Sequence, residues 1–427
     1  MGLQRLGAVQ RFLQARRGEM IELMRLLTAV PAIGPRNGGE GEWEKARLLV
    51  DYLRQAGLGD IETAHAPDAS VPAGQRPNVA ARLSGRAAAG RSGAVSSSSA
   101  ARPPATWVVS HLDVVPPGDL SLWEADPYEL RTDGDRLIGR GAEDNHQGIV
   151  ASVFALRALG ALGLPPRRTV GIAFVADEET GNQFGISHVL GRGAFFSPGD
   201  LVIAPDTGCG AGFSIEVAEK AILQVRCTVR GAQCHSSLPH LGSNSHRAAA
   251  RLVLALDDLY ARFPASDPLF EPPRSTFEPT RHDANIGNIN MIPGTDVFYL
   301  DCRVLPVYDL DAVLAAMREI AAAVAARAAV EIDINLVQAR PSVPAVDEQA
   351  PAYQAVRQAV REVAAREPRR IGMGVGTVAT YLRQAGYPAV VYCQSDNSGH
   401  QPNEYCRLEY LERDALIFAH AFLQDQE

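Results

Sequence analysis

The chain has 427 residues, 46% of them hydrophobic, and a formal net charge of −8. This length can bury a large core and suggests two domains more than one. The mild acidity, with no basic block, argues against nucleic acid as a main partner. No apolar run reaches transmembrane length, and the N-terminus lacks a signal-peptide core. For this reason we do not expect it to bind membranes. The six cysteines are scattered without a C-x-x-C pair, so we expect reduced thiols in a cytoplasmic protein.

The N-terminal part of the chain predicts helices followed by a strand. Helical periodicity covers residues 4–30 and 43–56, and Gly57 provides a stop signal for the second helix. A short strand is predicted at 78–83. The segment 85–104 is rich in Ala, Ser, Gly and Arg, which predicts a flexible surface loop without chemistry.

The next predicted strand, 106–110, leads into His111-Leu-Asp113. In an extended chain the positions i and i+2 lie on the same face. The two side chains can therefore act together, either as two metal ligands or as a ligand His and the carboxylate that orients it.

A glycine-rich turn precedes the predicted helix 149–159 and places Asp144 near the head of that helix. Two roles fit Asp144 at this position, a helix N-cap and a metal ligand. The neighbouring Gly139, Gly141 and Gly148 indicate a backbone that approaches another group closely.

The apolar run 169–175 predicts a buried strand that ends in three consecutive acids, Asp177, Glu178 and Glu179. Burying adjacent carboxylates is costly unless a cation or hydrogen bonds offset the charge. Because neighbouring side chains point apart, one glutamate can hold a metal while the other faces the substrate as a base. The alternative for this stretch alone is a solvated acidic turn.

A further buried strand, 201–204, precedes Asp206-Thr207-Gly208. This is the fourth place where a strand end or the following turn carries a ligand-type residue. The recurrence of His, Asp, Glu and Asp at these positions indicates a metal centre.

From Lys220 the pattern changes to an alternating sheet, and we predict an inserted βαββαβ domain over 217–340. Its polar residues include His235, Asn290 and Arg303, and each of them alone has an ordinary structural interpretation. The predicted elements, strands unless marked as helices, are 221–229, helix 245–263, 284–291, 297–304, helix 310–328 and 330–337.

The C-terminal part returns to the first pattern, so residues 1–216 and 341–427 are predicted to form one domain. The loop 395–404 carries His400, which would add a nitrogen ligand to a set rich in oxygen. The predicted elements are helix 352–366, strand 370–374, helix 376–385, strand 389–392 and helix 408–422.

With these motifs in order, the sequence resembles the dinuclear zinc metallopeptidase family of acetylornithine deacetylase, succinyl-diaminopimelate desuccinylase, aminoacylase, peptidase T and glutamate carboxypeptidase. The resemblance covers nearly the whole chain. The motifs that carry it are Ser110-His-Leu-Asp113 with Pro116-Pro-Gly118, Gly139-Arg-Gly-Ala-Glu-Asp144, Asp177-Glu-Glu-Thr-Gly181, Asp206-Thr-Gly208, His235 with Pro239, and His400-Gln-Pro-Asn-Glu404.

The resemblance implies an α/β/α catalytic domain with a mixed sheet, an inserted ferredoxin-like dimerisation domain, and two Zn²⁺ ions, for which Co²⁺ or Mn²⁺ can substitute. His111 and Asp206 would hold one metal, Glu179 and His400 the other, and Asp144 would bridge them. Asp113 would orient His111, and Glu178 would be the general base.

The resemblance also implies a homodimer through the inserted domain, in which His235 reaches the partner subunit's site and polarises the carbonyl. Arg303 and Asn290 would hold a substrate carboxylate, and Thr377 is a weaker candidate for that task.

Two stretches depart from the family pattern. Asn145-His-Gln-Gly148 replaces an Asp-Lys-Gly-Gly run, so His146 is a further ligand candidate, although we favour a non-ligand role. Gly374-Val-Gly-Thr377 replaces a Gly-Gly-Thr type sequence, which leaves the substrate pocket open.

The expected activity is hydrolysis of an amide bond in a small N-acyl amino acid. A dipeptidase or carboxypeptidase of the same fold uses the same chemistry and is the first alternative. A metal-binding module without catalysis is the second, and it is disfavoured because Glu178 and all the implied ligands are present.

Overall fold

A computed structural model describes residues 3–86, 102–206 and 213–424. Most of the loop predicted at 85–104 lies outside these residues, as do Thr207 and Gly208. The chain divides into two compact units. Unit 1 comprises Met1–Val217, Val346–Arg370 and Thr377–Glu427, and unit 2 comprises Ala218–Ala345 and Ile371–Gly376.

Helices flank the sheets of both units, and none of those in the described residues is long and apolar enough to span a membrane. The α-helices are α1 Leu3–Gln14, α2 Arg17–Thr28, α3 Trp43–Gln55, α4 Gln147–Ala161, α5 Ile186–Gly191, α6 Ser245–Ala255, α7 Asp258–Arg262, α8 Leu310–Ala328, α9 Pro351–Ala364, α10 Val378–Gln384 and α11 Leu408–Leu423.

Strands alternate with these helices along the chain. They are β1 Ile61–Thr63, β2 Ala66–Pro67, β3 Gln75–Arg76, β4 Val79–Leu83, β5 Ala105–His111, β6 Arg131–Asp133, β7 Arg136–Ile138, β8 Thr169–Val175, β9 Leu201–Ala204, β10 Ser214–Glu219, β11 Ala221–Arg230, β12 Cys234–His235, β13 Thr276–His282, β14 Met291–Ile292, β15 Thr295–Val304, β16 Glu331–Arg340, β17 Arg369–Met373, β18 Ala389–Val391 and β19 Tyr405–Arg407.

The main sheet has eight strands in the order β1-β4-β8-β5-β9-β18-β10-β17. Its centre, β8-β5-β9-β18, is parallel. Every residue of β5 is buried, as expected for a strand covered on both faces. The observed mixed sheet, flanked by helices, confirms the predicted fold class.

The parallel register brings three strand ends to one edge of this sheet. His111 at the end of β5 pairs with Val175 at the end of β8, and β9 lies on the other side of β5. In open α/β sheets, ligands bind beyond the carboxyl ends of the strands. The acidic turn 177–179 and Asp206 follow β8 and β9 at this edge.

Helix α4 is buried along nearly its whole length and packs against β5, β8 and α11. Its apolar residues, such as Ile149, Val153 and Phe154, are fully buried. Since α4 follows the turn that contains Asp144, a well-packed helix anchors that turn.

Unit 2 contains an antiparallel sheet of four strands in the order β13-β15-β11-β16. Helices α6 and α8 contribute Leu252, Val313 and Met317 to a core shared with β11 and β15. The order of elements is βαββαβ, the ferredoxin-like arrangement.

The strand predicted at 284–291 is wrong. In chain order the second strand of the four-stranded sheet is β13, and residues 283–290 form a loop before the two-residue strand β14. Asn285 contributes to the loop by accepting a hydrogen bond from the backbone N–H of Ile286, a local contact that competes with strand pairing. Pro279 is tolerated in β13 because β13 is an edge strand with an irregular register at that point.

Two predicted helices are each divided. Residues 15 and 16 separate α1 from α2, and residues 256 and 257 separate α6 from α7. The apolar periodicity continues across both breaks, so it does not reveal them.

Candidate metal centre

Five side chains form two triads at the edge of the main sheet. His111, Asp144 and Asp206 make the first triad, and Asp144, Glu179 and His400 make the second. Within each triad the donor atoms lie within 4.8 Å of one another. The structure thus brings together all five side chains that the sequence suggested as ligands, with Asp144 in both triads.

The two carboxylate oxygens of Asp144 face different histidines. Oδ1 lies 2.8 Å from Nε2 of His111, and Oδ2 lies 3.2 Å from Nε2 of His400. Nε2 of His400 also lies 3.1 Å from Oε1 of Glu179. A carboxylate that presents one oxygen to each side is suited to bridge two cations.

Asp144 is not the N-cap of α4. Its backbone is non-helical at φ −118° and ψ 92°, and the cap position is His146. Gly141 begins the turn at φ 83°, a conformation that favours glycine. The turn directs the Asp144 side chain towards the histidines, away from the helix end.

The carboxylates of the two triads create an environment that favours a bound cation. Hydrogen bonds to Asp144 and Glu179 raise the pKa of His400 to about 11. Burial alone would lower the pKa of His111, but Asp113 and Asp144 raise it well above its ordinary value. Protonated imidazoles therefore balance the buried carboxylates, and a divalent metal can replace those protons.

Glu178 lies beside the ligands but belongs to neither triad. Burial, followed by the charge of Asp206, raises the pKa of Glu178 well above its ordinary value. Oε1 of Glu178 accepts a hydrogen bond of 3.2 Å from Nδ2 of Asn182, a residue that sequence reasoning missed. A carboxyl group with a raised pKa is suited to exchange protons near neutral pH.

Asp113 connects the His111 strand to the acidic turn. Its Oδ1 and Oδ2 each accept a hydrogen bond of 3.0 Å, from the backbone N–H groups of Glu178 and Glu179. Nδ1 of His111 donates to the backbone carbonyl of Asp113 at 3.0 Å and lies 3.5 Å from its Oδ1. This leaves Nε2 of His111 as the metal-facing nitrogen.

Glu143 and Glu404 support each other's loop, and sequence reasoning assigned neither a role. Glu143 accepts the backbone N–H groups of Asp396 and Gly399 at 2.8 and 2.7 Å, next to His400. Glu404 accepts the N–H of Asp144 at 2.9 Å and a charged hydrogen bond from Arg140 at 2.6 Å. Glu143 lies directly before Asp144, and Glu404 lies four residues after His400. This closeness in sequence to predicted ligands was the signal that could have identified them.

A buried ion-pair cluster, formed by Glu42 directly before α3 and Arg76 in β3, supports the acidic turn. The Arg76 guanidinium pairs with Glu42 and lies 3.8 Å from Oδ1 of Asp177. Asp177 accepts hydrogen bonds from the Thr180 hydroxyl and from the backbone N–H of Phe184. Asp177 therefore shapes the turn and is not placed in either triad.

His146 is also in neither triad. It is fully buried, with Nε2 2.7 Å from Nζ of Lys45 and Nδ1 3.4 Å from the Thr28 hydroxyl. Burial and the nearby ammonium lower the pKa of His146 well below its ordinary value. Burial also lowers the pKa of Lys45 to about 7.

In unit 2, His235 lies at the end of β12 and is exposed. Its Nδ1 accepts the backbone N–H of Ser237 at 3.2 Å and lies 2.7 Å from the Ser237 hydroxyl. Because a backbone N–H can only donate, a neutral His235 carries its proton on Nε2. Nε2 of His235 is therefore available as a hydrogen-bond donor.

The three residues suggested for substrate binding have different surroundings. Arg303 pairs with Asp301 at 2.6 Å and donates to the carbonyl of Gly374 at 2.8 Å. Asn290 is exposed, and its carbonyl accepts the N–H of Ser236 at 2.9 Å. Thr377 is buried and caps α10 by accepting the N–H of Ala379.

Comparison with known proteins shows similarity to a peptidase family and to metallohydrolases. Residues 107–424 match the family model described as Peptidase family M20/M25/M40. The chain is 31% identical over 415 residues to an uncharacterized metallohydrolase of Methanocaldococcus jannaschii. This alignment covers 94% of this chain and 98% of the relative.

A second relative and a solved structure also match along their length. Succinyl-diaminopimelate desuccinylase of Gluconobacter oxydans is 29% identical over 418 residues, 95% of this chain and 96% of the relative. Human carnosine dipeptidase 1 superposes with a TM-score of 0.71 at 16% identity, covering 98% of both chains. At 16% identity, the similarity to the carnosine dipeptidase structure concerns the fold alone.

Proposed function

The chain belongs to peptidase family M20/M25/M40 and is a metal-dependent hydrolase of amide or peptide bonds, and on this premise we propose that it removes the acyl group from an N-acyl amino acid. The observation that carries the proposal is the placement of Asp144 in both triads, with the buried carboxyl of Glu178 next to the ligands but in neither triad. This arrangement supplies metal ligands and a base at the same sheet edge.

We propose two Zn²⁺ ions as the resident metals, with Co²⁺ and Mn²⁺ as substitutes. His111, Asp144 and Asp206 hold one ion, and Asp144, Glu179 and His400 hold the other. The imidazole and carboxylate donors of both triads suit zinc. In this proposal residues 1–216 and 341–427 form the catalytic domain, and 217–340 form the dimerisation domain.

When bound, the metals polarise the scissile carbonyl and lower the pKa of water. Glu178 takes a proton from the attacking water and passes it to the leaving nitrogen. Its raised pKa supports this role, because the same group must accept and then return the proton. Asp113 keeps His111 and the acidic turn in register while this occurs.

The full-length similarity to a desuccinylase supports an N-acyl amino acid as the substrate, with N-succinyl compounds as the first class to test. Such a substrate carries a carboxylate, for which Arg303, Asn290 and Thr377 are the proposed partners. Because Asp301 pairs with Arg303, a substrate carboxylate has to compete for the guanidinium. Dipeptides are the alternative substrate class.

We further propose a cytoplasmic homodimer through unit 2, in which His235 donates from Nε2 to the carbonyl oxygen in the partner subunit's site. The edge strand β16 supports this interface, since Leu336 and Val337 are 52% and 56% exposed. A second copy can pair with such an edge and cover its apolar residues. Full activity of a diluted monomer would contradict the dimer.

The test is a hydrolysis assay with metal-depleted protein reconstituted with zinc or cobalt. A panel of N-succinyl amino acids, N-acetyl amino acids and dipeptides is scored by the free amine released. We expect release from the N-acyl compounds, and a chelator abolishes it. Release from dipeptides alone would select the alternative, and failure to take up metal would overturn the proposal.

A further inference from the structure

Unit 2 contains another group of metal-type donors, outside both triads. His246, His282 and Asp296 each offer one donor atom, and these atoms lie within 4.8 Å of one another. They come from three elements, the first turn of α6, the end of β13 and the start of β15. The cluster is therefore a product of the tertiary fold of unit 2, and residues 36 and 14 positions apart along the chain meet there.

Asp296 is the centre of the cluster, and its side chain is 0% exposed. Oδ2 lies 2.8 Å from Nδ1 of His246 and accepts a hydrogen bond of 2.7 Å from Nδ2 of Asn285. Oδ1 lies 2.8 Å from Nε2 of His282. Burial raises the pKa of Asp296, but these hydrogen bonds outweigh burial and lower it, so the carboxylate is an anion.

The two histidines leave one side of the cluster open to solvent. The side chains of His246 and His282 are 60% and 44% exposed. Their rings meet edge to face, with centroids 5.8 Å apart. A buried anionic ligand beneath two accessible imidazoles gives an ion both an entry path and room for a water ligand.

We propose that His246, His282 and Asp296 form a third divalent-cation site, which binds Zn²⁺ or a metal of similar preference. Two imidazoles, one carboxylate and a water make a tetrahedral set for zinc. Around such an ion the donor atoms are about 3.3 Å apart. The three donor atoms here, one per residue, already lie within 4.8 Å of one another, so a small adjustment of the side chains would suffice. The imidazole protons on the ligating nitrogens leave when metal binds.

The site would fix the loop that carries Asn290. His282 and Asp296 flank this loop, and the N–H of Asp283 bonds to the carbonyl of Val297 at 2.9 Å. The loop leads into β14, which pairs with β12 and thereby with His235. A bound metal would hold the first turn of α6, the end of β13 and the start of β15 together around this segment. This structural role does not depend on the proposed reaction.

Zinc stoichiometry tests the site on the full-length protein. Equilibrium dialysis against Zn²⁺, followed by elemental analysis, compares the wild type with the double variant H246A/H282A. The matched control is His240→Ala, an exposed histidine of the same unit that is outside the cluster. We expect the double variant to bind one zinc fewer per chain than the wild type, and the control to match the wild type.

Equal zinc content in the double variant and the wild type would overturn the site and leave a hydrogen-bonded ion-pair cluster. If the two triads bind no metal, the zinc content of the wild type and of the double variant falls by the same amount. Failure of the proposed function can therefore be distinguished from failure of the third site. Should the double variant not fold by circular dichroism, histidine ¹⁵N spectra of the wild type decide. Zinc is expected to shift the ring signals of His246 and His282, assigned by single variants, and unshifted signals would also overturn the site.

Discussion

Oδ1 of Asp113 accepts a hydrogen bond of 3.0 Å from the backbone N–H of Glu178. The same carboxylate holds the N–H of Glu179 through its other oxygen and lies against the ring of His111. One buried side chain therefore fixes the proposed base, one ligand of the second triad and one ligand of the first. This multiple role goes beyond orienting His111, the role that the family resemblance implied for Asp113.

Asp113→Asn should weaken metal binding and activity together. An amide puts an N–H₂ group against a backbone N–H that needs an acceptor, so a buried donor loses its partner. We expect the zinc concentration for half-maximal activity to rise about 10- to 100-fold, as for other residues that orient ligands. The measurement is activity against buffered free zinc. Asp51→Asn on the exposed face of α3 is the control, and an unchanged midpoint in Asp113→Asn would refute the role.

Glu178→Gln should keep the metals and lose most turnover. The amide preserves the shape of the side chain but cannot accept the proton, which should cost about 10²- to 10⁴-fold in kcat. Metal content and steady-state kinetics are measured on the same preparation, with the exposed Glu44→Gln as the matched variant. Near-normal turnover in Glu178→Gln would remove the general-base assignment.

Mixing two inactive variants tests whether His235 acts across a dimer. In a mixed dimer of His235→Ala and Glu178→Gln, one site combines an intact Glu178 with an intact His235 from the other chain. Random exchange should then restore about a quarter of wild-type activity, since half the dimers are mixed and each has one competent site. Activity is assayed after co-refolding, against each variant alone. No recovery despite proven exchange would place His235 in its own subunit's site or outside catalysis.

Asp414 should make stability fall as the pH rises. Burial raises the pKa of Asp414 to about 7, although it accepts hydrogen bonds from Gln394 and Gln147. The folded state then holds a proton that the unfolded state releases near pH 4, so stability decreases between about pH 4 and pH 7 and levels off above. Asp414→Asn removes this dependence. The difference in free energy of unfolding between the variant and the wild type should therefore increase, in favour of the variant, by on the order of 2 kcal/mol from pH 5 to pH 8.

Urea denaturation of both proteins at the two pH values measures this difference. Glu362→Gln on α9 is a useful comparison, because hydrogen bonds from His420 and Gln358 outweigh burial and lower the pKa of Glu362. That variant should not gain stability as the pH rises. Equal pH dependence in Asp414→Asn and the wild type would show that Asp414 is ionised in the folded protein.

The sequence was most informative where function and local order coincide. His111 lies at the end of a strand, and Glu179 and Asp206 follow strand ends. Because a parallel sheet brings such ends to one edge, their meeting was predictable. The supporting contact of Glu143 with Gly399 was not, because it joins residues 256 positions apart through a loop whose path the sequence does not reveal. The missed strand β13 contains Pro279, which an edge strand tolerates and periodicity argues against.

The same distinction explains the third cluster. Asp296, His246 and His282 lie in three different elements and match none of the motifs that carry the family resemblance. Their proximity depends on the register of β13 with β15, in which His282 pairs with Phe298. The strand wrongly predicted at 284–291 left His282 outside any predicted strand, so its pairing with β15 was not predicted.

The central claim is a paired metal centre that shares Asp144, and anomalous X-ray diffraction at the zinc edge tests it most directly. Crystals of zinc-loaded protein should show one peak among His111, Asp144 and Asp206 and another among Asp144, Glu179 and His400, about 3.5 to 4 Å apart. The absence of a peak from either triad, in protein that hydrolyses its substrate, would contradict the account.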